Sequence, residues 1–439
     1  MSAAPAVSPR AARFAARLKA AEARFAGVAL PPSAAWLMRA REAAIARLTG
    51  IGLPEKRDEY WRYTDPSRLV SEIATPAAVF AGGDEPVVFG GIARLRLVFV
   101  DGVFDPDQSD PLSGEGIEIE RLSQVAQTDI HWAKDLYGVL EAAAQSPVPR
   151  PLAALNTAVA TDGVLIRVTG RVERPVSLVY QRRTAEADAS LHHVVRLEQG
   201  AELTLLENGP GAARISTVLE ADLAEGASLH HVRAMGRDHQ RAGIAHVFAR
   251  LAADAHFKSF TLSVNGAVVR NEAVVWLNGR GGSAHLSGAA MGDGAFHHDD
   301  TVFVTHAAPD CESRQVFKKV LYHGAVGVFQ GKILVEQPAQ LTDGYQKSQA
   351  LLMDERSQFL AKPELEIYAD DVKCSHGSTS GELDADQMFY LRARGVPEDE
   401  AKRLLVVAFL GEALDEIAND DIANDIRLRL AGWLERHGE

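Results

Sequence analysis

The sequence predicts a mainly β fold, a long run of short strands flanked on both sides by helical regions, and three observations predict it. Between about residues 163 and 372, apolar or alternating runs (Val164–Val168, Val176–Tyr180, Ala201–Leu206, Ala227–Val232, Ala325–Phe329) are separated by Gly, Asp or Asn, with no helical spacing. Within that stretch, an alanine after a small residue opens successive runs at Ala201, Ala227, Ala255, Ala284 and Ala325, at intervals of 26, 28, 29 and 41 residues. Both flanks return to 3.6-residue periodicity. Intervals in the twenties suit the coils of a parallel β-helix, in which each coil buries its inward side chains by stacking on the next. A hairpin sandwich stays open as an alternative, because Asn265-Gly266 and Asn278-Gly279 supply two-residue turns.

The chain divides into a mainly helical region over 1–158, a β core over 159–378 and a helical domain over 379–439. At the N-terminus, Phe14, Leu18, Ala21 and Phe25 share one helical face; Pro31-Pro32-Ser33 breaks it, and Leu37, Ala40, Ala44 and Leu48 line a second helix. The first residues lack an apolar secretory core, and Glu22 and Glu42 argue against a targeting peptide. In Pro54-Glu55-Lys56-Arg57-Asp58-Glu59-Tyr60-Trp61-Arg62-Tyr63-Thr64, the aromatic residues suit a helix pinned to a neighbour through Trp61 and Tyr63 better than a ligand cage. Leu95–Val100 reads as a strand ending at Asp101-Gly102, and residues 120–158 as helical.

In the tail, Asp384 is placed to cap a helix through Met388 and Leu391 that stops at Gly395. Pro397 and the acids Glu398, Asp399 and Glu400 open another. Its Leu404–Leu410 segment is apolar all round, so more than one side needs cover; Phe389 and Leu391 are the expected neighbours on one side, and a partner on the other. A last helix aligns Ile422, Ile426, Leu430 and Trp433.

Composition excludes several classes. With 46 basic and 59 acidic residues the formal charge is −13, which lacks the footprint of a nucleic-acid binder. Cys311 and Cys374 are the only cysteines, too few for a disulfide scaffold or a self-contained cluster site. Seven residues is the longest apolar run, short of a membrane span, and the expected location is the cytoplasm. Gly279-Arg280-Gly281-Gly282 lacks the Lys-Ser/Thr ending of a phosphate loop, so the chain itself is not expected to hydrolyse ATP.

Thirteen of the fifteen histidines lie between His192 and His376. Neighbours on a strand point to opposite faces, so the pairs His192-His193, His230-His231 and His297-His298 cannot each chelate one ion. His297 with Asp299, His298 with Asp300, and nearby His306 leave a mononuclear metal protein as one alternative. A β-helical carbohydrate-active enzyme using Asp299 and Asp300 is another. In Lys373-Cys374-Ser375-His376-Gly377, strand geometry puts Cys374 and His376 on one face, roughly 7 Å apart. Thiolate and imidazole both ligate iron, and Lys373 is placed to lower the thiol pKa. Two donors are too few for a cluster, so a partner would supply the rest.

The segment Pro363–Gly377, continued by Gly381-Glu382-Leu383-Asp384 and Phe389–Gly395, closely resembles the SufB/SufD family, scaffold subunits of the SUF iron–sulfur assembly machine. Ser313-Arg314-Gln315 with Lys318, Gly327–Ile333, Ala339-Gln340 and Asp343–Gln346 extend the likeness over about 300–395, and Glu59–Thr64 and Leu155–Ala158 carry it loosely toward the N-terminus. Cys374-Ser375-His376-Gly377 is closer to the D-type branch. The resemblance implies a right-handed parallel β-helix in a complex with a SufB-like scaffold subunit and a SufC-like ABC-type ATPase. It implies a non-catalytic role, with ATP hydrolysis in the partner. His376, with Cys374 nearby, would lie at the SufB-facing interface and contact a transient iron–sulfur cluster that the isolated chain does not hold. The C-terminal helices, through Phe389, Leu391, Leu404, Val407 and Phe409, would dock the ATPase. A homodimer of the chain alone and a bound flavin stay open.

Overall fold

Strands of five to eleven residues follow one another from Val164 to Gly381 with no helix between them among the described residues. The computed structural model describes residues 8–28, 30, 32–79, 87–236 and 238–437. Pro31 and the first seven residues lie outside them. The strands alternate between two ten-stranded sheets. The first sheet stacks Val176–Gln181, Glu202–Asn208, Ser228–Met235, His256–Val264, Ser283–Asp293, Glu312–Tyr322, Thr342–Leu352 and Val372–Gly381; the second stacks Val164–Val168, Asp188–Leu197, Arg214–Leu223, Ala242–Leu251, Val268–Leu277, His297–His306, Val326–Val335 and Gln358–Ile367. All of these pair in parallel. Parallel pairing of every second strand is a two-sheet solenoid, so the hairpin sandwich is excluded. Asn265-Gly266 and Asn278-Gly279 each join strands of different sheets, turning a corner of a coil. The region expected to be mainly helical contributes four further strands, Leu95–Val100, Val103–Phe104, Ser113–Gly114 and Ile117–Arg121, which begin both sheets.

The register explains the alanine repeat. Glu202 pairs with Ser228, Ser228 with His256, and His256 with Ser283, so Ala201, Ala227 and Ala255 occupy one corner of successive coils. Gly200 and Gly226, both at φ +67°, make the turn ahead of the first two. The interval of 41 has a different origin. Ala325 opens a strand of the second sheet, whereas the first-sheet partner of Ala284 is Ser313.

Alternation then sorts side chains into three layers. Between the sheets, Leu203, Leu229, Phe257, Leu219, Val247 and Val302 belong to one continuous apolar core. On the outer face of the first sheet, Val232, Phe260, Met291 and Val316 pack against Val406, Leu410, Ile422, Ile426, Leu430 and Trp433 of the helices Glu398–Leu414 and Asp420–His437. On the outer face of the second sheet lie the helices Pro9–Ala26, Ala35–Ile51 and Pro151–Val159. The Glu59–Trp61 turn is pinned there: Trp61 is stacked by the Arg270 guanidinium at 4.3 Å, and Tyr60 packs edge-on against Phe303. Tyr60, rather than Tyr63, is the second aromatic anchor.

The helix carrying Leu404–Leu410 is covered by the solenoid and the last helix, and Phe389 adds no cover. Phe389 is 74% exposed, and no residue of its helix, Ala385–Ala393, is buried. Asp384 caps that helix, accepting from the Asp386 and Gln387 amides, and Gly395 follows its end at φ +86°. Two acids fasten the longer helix to the sheet: Lys318 and Lys347 hold Glu412, and Arg314 and His285 hold Glu416 beyond its end. No described helix is long and apolar enough to cross a membrane.

Candidate functional site

The solenoid ends on two strands that have a neighbour on one side only. Val372–Gly381 pairs with Thr342–Leu352, and Gln358–Ile367 with Val326–Val335. Neither terminal strand has a buried residue, in contrast to the coils beneath them. Their free edges carry unpaired backbone donors and acceptors, the template that a further strand recognises.

His376 and Cys374 both stand on Val372–Gly381, and the register decides which way they face. Leu286, Gln315, Gln346 and His376 form one row up the first sheet, and Ala284, Ser313, Gly344 and Cys374 form another. Leu286 and Ala284 belong to the core between the sheets, so both rows are inward. Cys374 is half-buried among Ile333, Val335 and Leu365, and its sulfur lies close over Gly344, 3.2 Å from where a Cβ would stand. His376 is exposed at the mouth. The two residues share a face, and that face is the end of the lumen.

Beneath His376 the mouth is polar. Gln346 donates to Gln315 at 2.9 Å, and Ser348 and Ser378 are joined at 2.7 Å. The Gln346 carbonyl and the Gln315 amide nitrogen have no partner among the described residues, although both side chains are wholly buried. Gly331 is what admits Gln346, since a Cβ there would stand 2.2 Å from its amide nitrogen. Coil spacing gives a signal for these residues: one coil back from His376 is Gln346, and one further is Gln315.

Lys373 does not activate the thiol. Strand alternation turns it to the opposite face, and burial pushes the Cys374 thiol above its usual range, with Asp343 adding to the shift. Cys374 is therefore a neutral thiol at pH 7. Cys311 is buried, with its sulfur donating to the Gly279 carbonyl at 3.2 Å.

The other chemical candidates are tied up inside the fold. Asp299 is wholly buried, bonded by Arg270 and Thr64 on the outer face, while Asp300 faces the lumen and is held by Lys319 at 2.6 Å. Neither carboxylate is accessible to a saccharide, so neither can serve the carbohydrate-active alternative. His297 bonds Thr64, His298 bonds Lys319 and Asn271, and His306 bonds Ser313. No group of three or more His, Cys, Asp or Glu is arranged around a metal position among the described residues, which leaves the mononuclear metal alternative without a site. Cys374 and His376 offer two donors at an open end.

The proposed docking residues divide by exposure. Phe389 and Leu404, at 74% and 46%, are open to solvent. Val407 and Phe409 are half-buried against the helical core, with the Lys318 ammonium 4.4 Å over the Phe409 ring, and Leu391 is intermediate.

The family described as SUF system FeS cluster assembly, SufBD core domain, matches residues 180–409, just over half of the chain. The iron–sulfur cluster assembly protein SufD of Escherichia coli is 29% identical, covering 85% of this chain and 88% of its own length. A SufBD-family iron–sulfur cluster assembly protein of Synechocystis is 27% identical over 82% of this chain and 83% of its own. The SufD of Bacillus subtilis is 24% identical over 63% and 65%. The chain belongs to the SufB/SufD family, and within it is most like SufD.

Proposed function

We propose that this chain is a non-catalytic scaffold subunit for iron–sulfur cluster assembly, joined at its open solenoid end to a SufB-like subunit and at its C-terminal helices to a SufC-like ATPase. The observation that carries the reading is the exposed terminal rung: an imidazole and a thiol point to the lumen mouth between two free sheet edges. A partner strand added to those edges would close the mouth around His376 and Cys374 and supply the remaining ligands. The cluster is cargo held between subunits, with its iron bound by imidazole or thiolate donors. The exposed Phe389, Tyr390 and Leu404 give an ATPase apolar side chains on the C-terminal helices, of which the one carrying Leu404 is fastened to the solenoid through Glu412. Co-expression with candidate SufB-like and SufC-like chains tests this directly. A stable three-protein complex is the expected product, and recovery of the chain free of both partners would refute the reading.

A further inference from the structure

Midway along the lumen the apolar core gives way to buried charge. Tyr180 donates to Glu207 at 2.8 Å and bonds His193 at 3.1 Å, while His231 bonds the other Glu207 oxygen at 2.8 Å. Further along, Arg233 Nη1 donates to Asn271 at 2.9 Å, Asn271 donates to Asp300 at 3.2 Å, and Lys319 donates to Asp300 at 2.6 Å. The two halves almost meet: Arg233 Nε lies 3.8 Å from Glu207 Oε2, beyond hydrogen-bond range. That nitrogen has no hydrogen-bond partner among the described residues, and Arg233 is 4% exposed. A cavity opens at the gap, lined by Glu207, Thr217, His231, Arg233, Thr261 and Asn271, with room for roughly two water molecules.

We propose that this cavity is an internal water site, in which one water accepts from Arg233 Nε and donates to Glu207. The role requires a molecule that can both accept and donate. A guanidinium N–H left unpaired in the interior is costly, and a polar contact stretched past 3.5 Å is the setting in which water bridges. The charges decide against an anion. Arg233 is matched by Glu207, Lys319 by Asp300 and the lining Glu272 by Arg270, so no cation is left over for an anion to compensate, and an anion would sit against the Glu207 carboxylate. Bridged in this way, the two halves become one chain from His193 to Lys319. It ties the sheets together through the lumen, since Glu207, Arg233 and Lys319 stand on the first sheet and His193, Asn271 and Asp300 on the second. The site is independent of the proposed function at the mouth.

Crystals of the full chain test it with three probes. High-resolution density should contain a water-sized peak within hydrogen-bond distance of Arg233 Nε. Soaking in sodium bromide should give no anomalous signal there, and pressurised xenon should not enter. Arg233→Met should abolish the peak and lower the thermal midpoint by several degrees. Thr261→Val keeps the volume and removes one hydroxyl; it should displace or weaken the peak if Arg233→Met does not fold. Bromide in the cavity would make it an anion site. Xenon there, or a cavity without density, would make it a dry void, and either result overturns the assignment.

Discussion

Gln346 and His376 are direct register partners on the last two strands of the first sheet, so an exposed imidazole stands one rung above a wholly buried glutamine. The chain changes there from a filled lumen to an open one. A group placed at such a boundary can meet a partner without any rearrangement of the coils below it.

Replacement of His376 by alanine should therefore abolish support for cluster assembly while leaving the three-protein complex intact. Alanine can neither ligate iron nor hold a partner thiolate, and a single rim side chain seldom decides a large interface. Cys374→Ala should be milder, because its thiol is half-buried and neutral. Complementation of a strain lacking this subunit, with pull-down of both partners, separates the outcomes. Loss of the complex in His376→Ala would demote the residue to a structural role.

The isolated chain should not retain a cluster. Cys374 and His376 offer two donors where four are usual, and no other described side chain joins them. Anaerobic reconstitution should leave less than about one cluster per chain. A robust four-iron spectrum from the chain alone would contradict this.

At the C-terminal helices, exposure separates docking from folding. Phe389→Asp and Leu404→Asp should weaken ATPase binding with less change in thermal midpoint than a core substitution, since the two residues are 74% and 46% exposed. Leu410→Ala, by contrast, empties a wholly buried position and should cost about 2–5 kcal/mol of stability. Val407→Asp belongs with the second group because Val407 packs against the helical core. If the two exposed variants bind the ATPase normally, the docking surface lies elsewhere.

The solenoid was legible because coil length is written into the spacing of corner residues such as Ala201, Ala227 and Ala255. Dipeptides such as Asn265-Gly266 were ambiguous, since the same turn chemistry serves a hairpin and a coil corner. Alternation put Cys374 and His376 on one face but could not say which face was inward. That needed the register with Gln346, which no local pattern contains. The same alternation argues against Lys373 acting on the thiol, although the two are sequence neighbours. The charged lumen was illegible for a related reason. His231 and Arg233, two apart on one strand, look like a solvent-facing stripe until the second sheet closes over them.

Gly331→Ala tests the support beneath His376. The added methyl would stand 2.2 Å from the Gln346 amide nitrogen, which donates to Gln315, and 2.8 Å from a Phe329 ring carbon, so both side chains would have to shift. Overpacking of this kind costs about 1–3 kcal/mol, read as a shift in the urea midpoint. Gly344→Ala is the comparison, because its Cβ would come no nearer than 3.2 Å to the Cys374 sulfur and 3.5 Å to Ile333, and should cost less. Equal losses would show that Gln346 is free to move.

Acid should destabilise the fold before most carboxylates titrate. Burial holds His193, His230, His246 and His306 at about 4, well below the ordinary imidazole value. In the unfolded chain these four take up protons as the pH falls through about 6.5, while in the folded chain they remain neutral until about 4. Between those limits the unfolded state binds more protons, so stability falls with falling pH, by up to about 1.4 kcal/mol per pH unit for each histidine. Above about pH 7.5 this contribution is complete and the curve should flatten. Glu272, lowered to about 2 by Arg270 against its own burial, acts in the same direction below the usual carboxylate range, as its ion pair is lost on protonation. Urea midpoints measured from pH 8 to 4 would trace the slope. His306→Leu removes the histidine whose shift comes from burial alone, and it should reduce the slope by about one proton's worth. An unchanged slope in that variant would mean that His306 is already protonated in the fold.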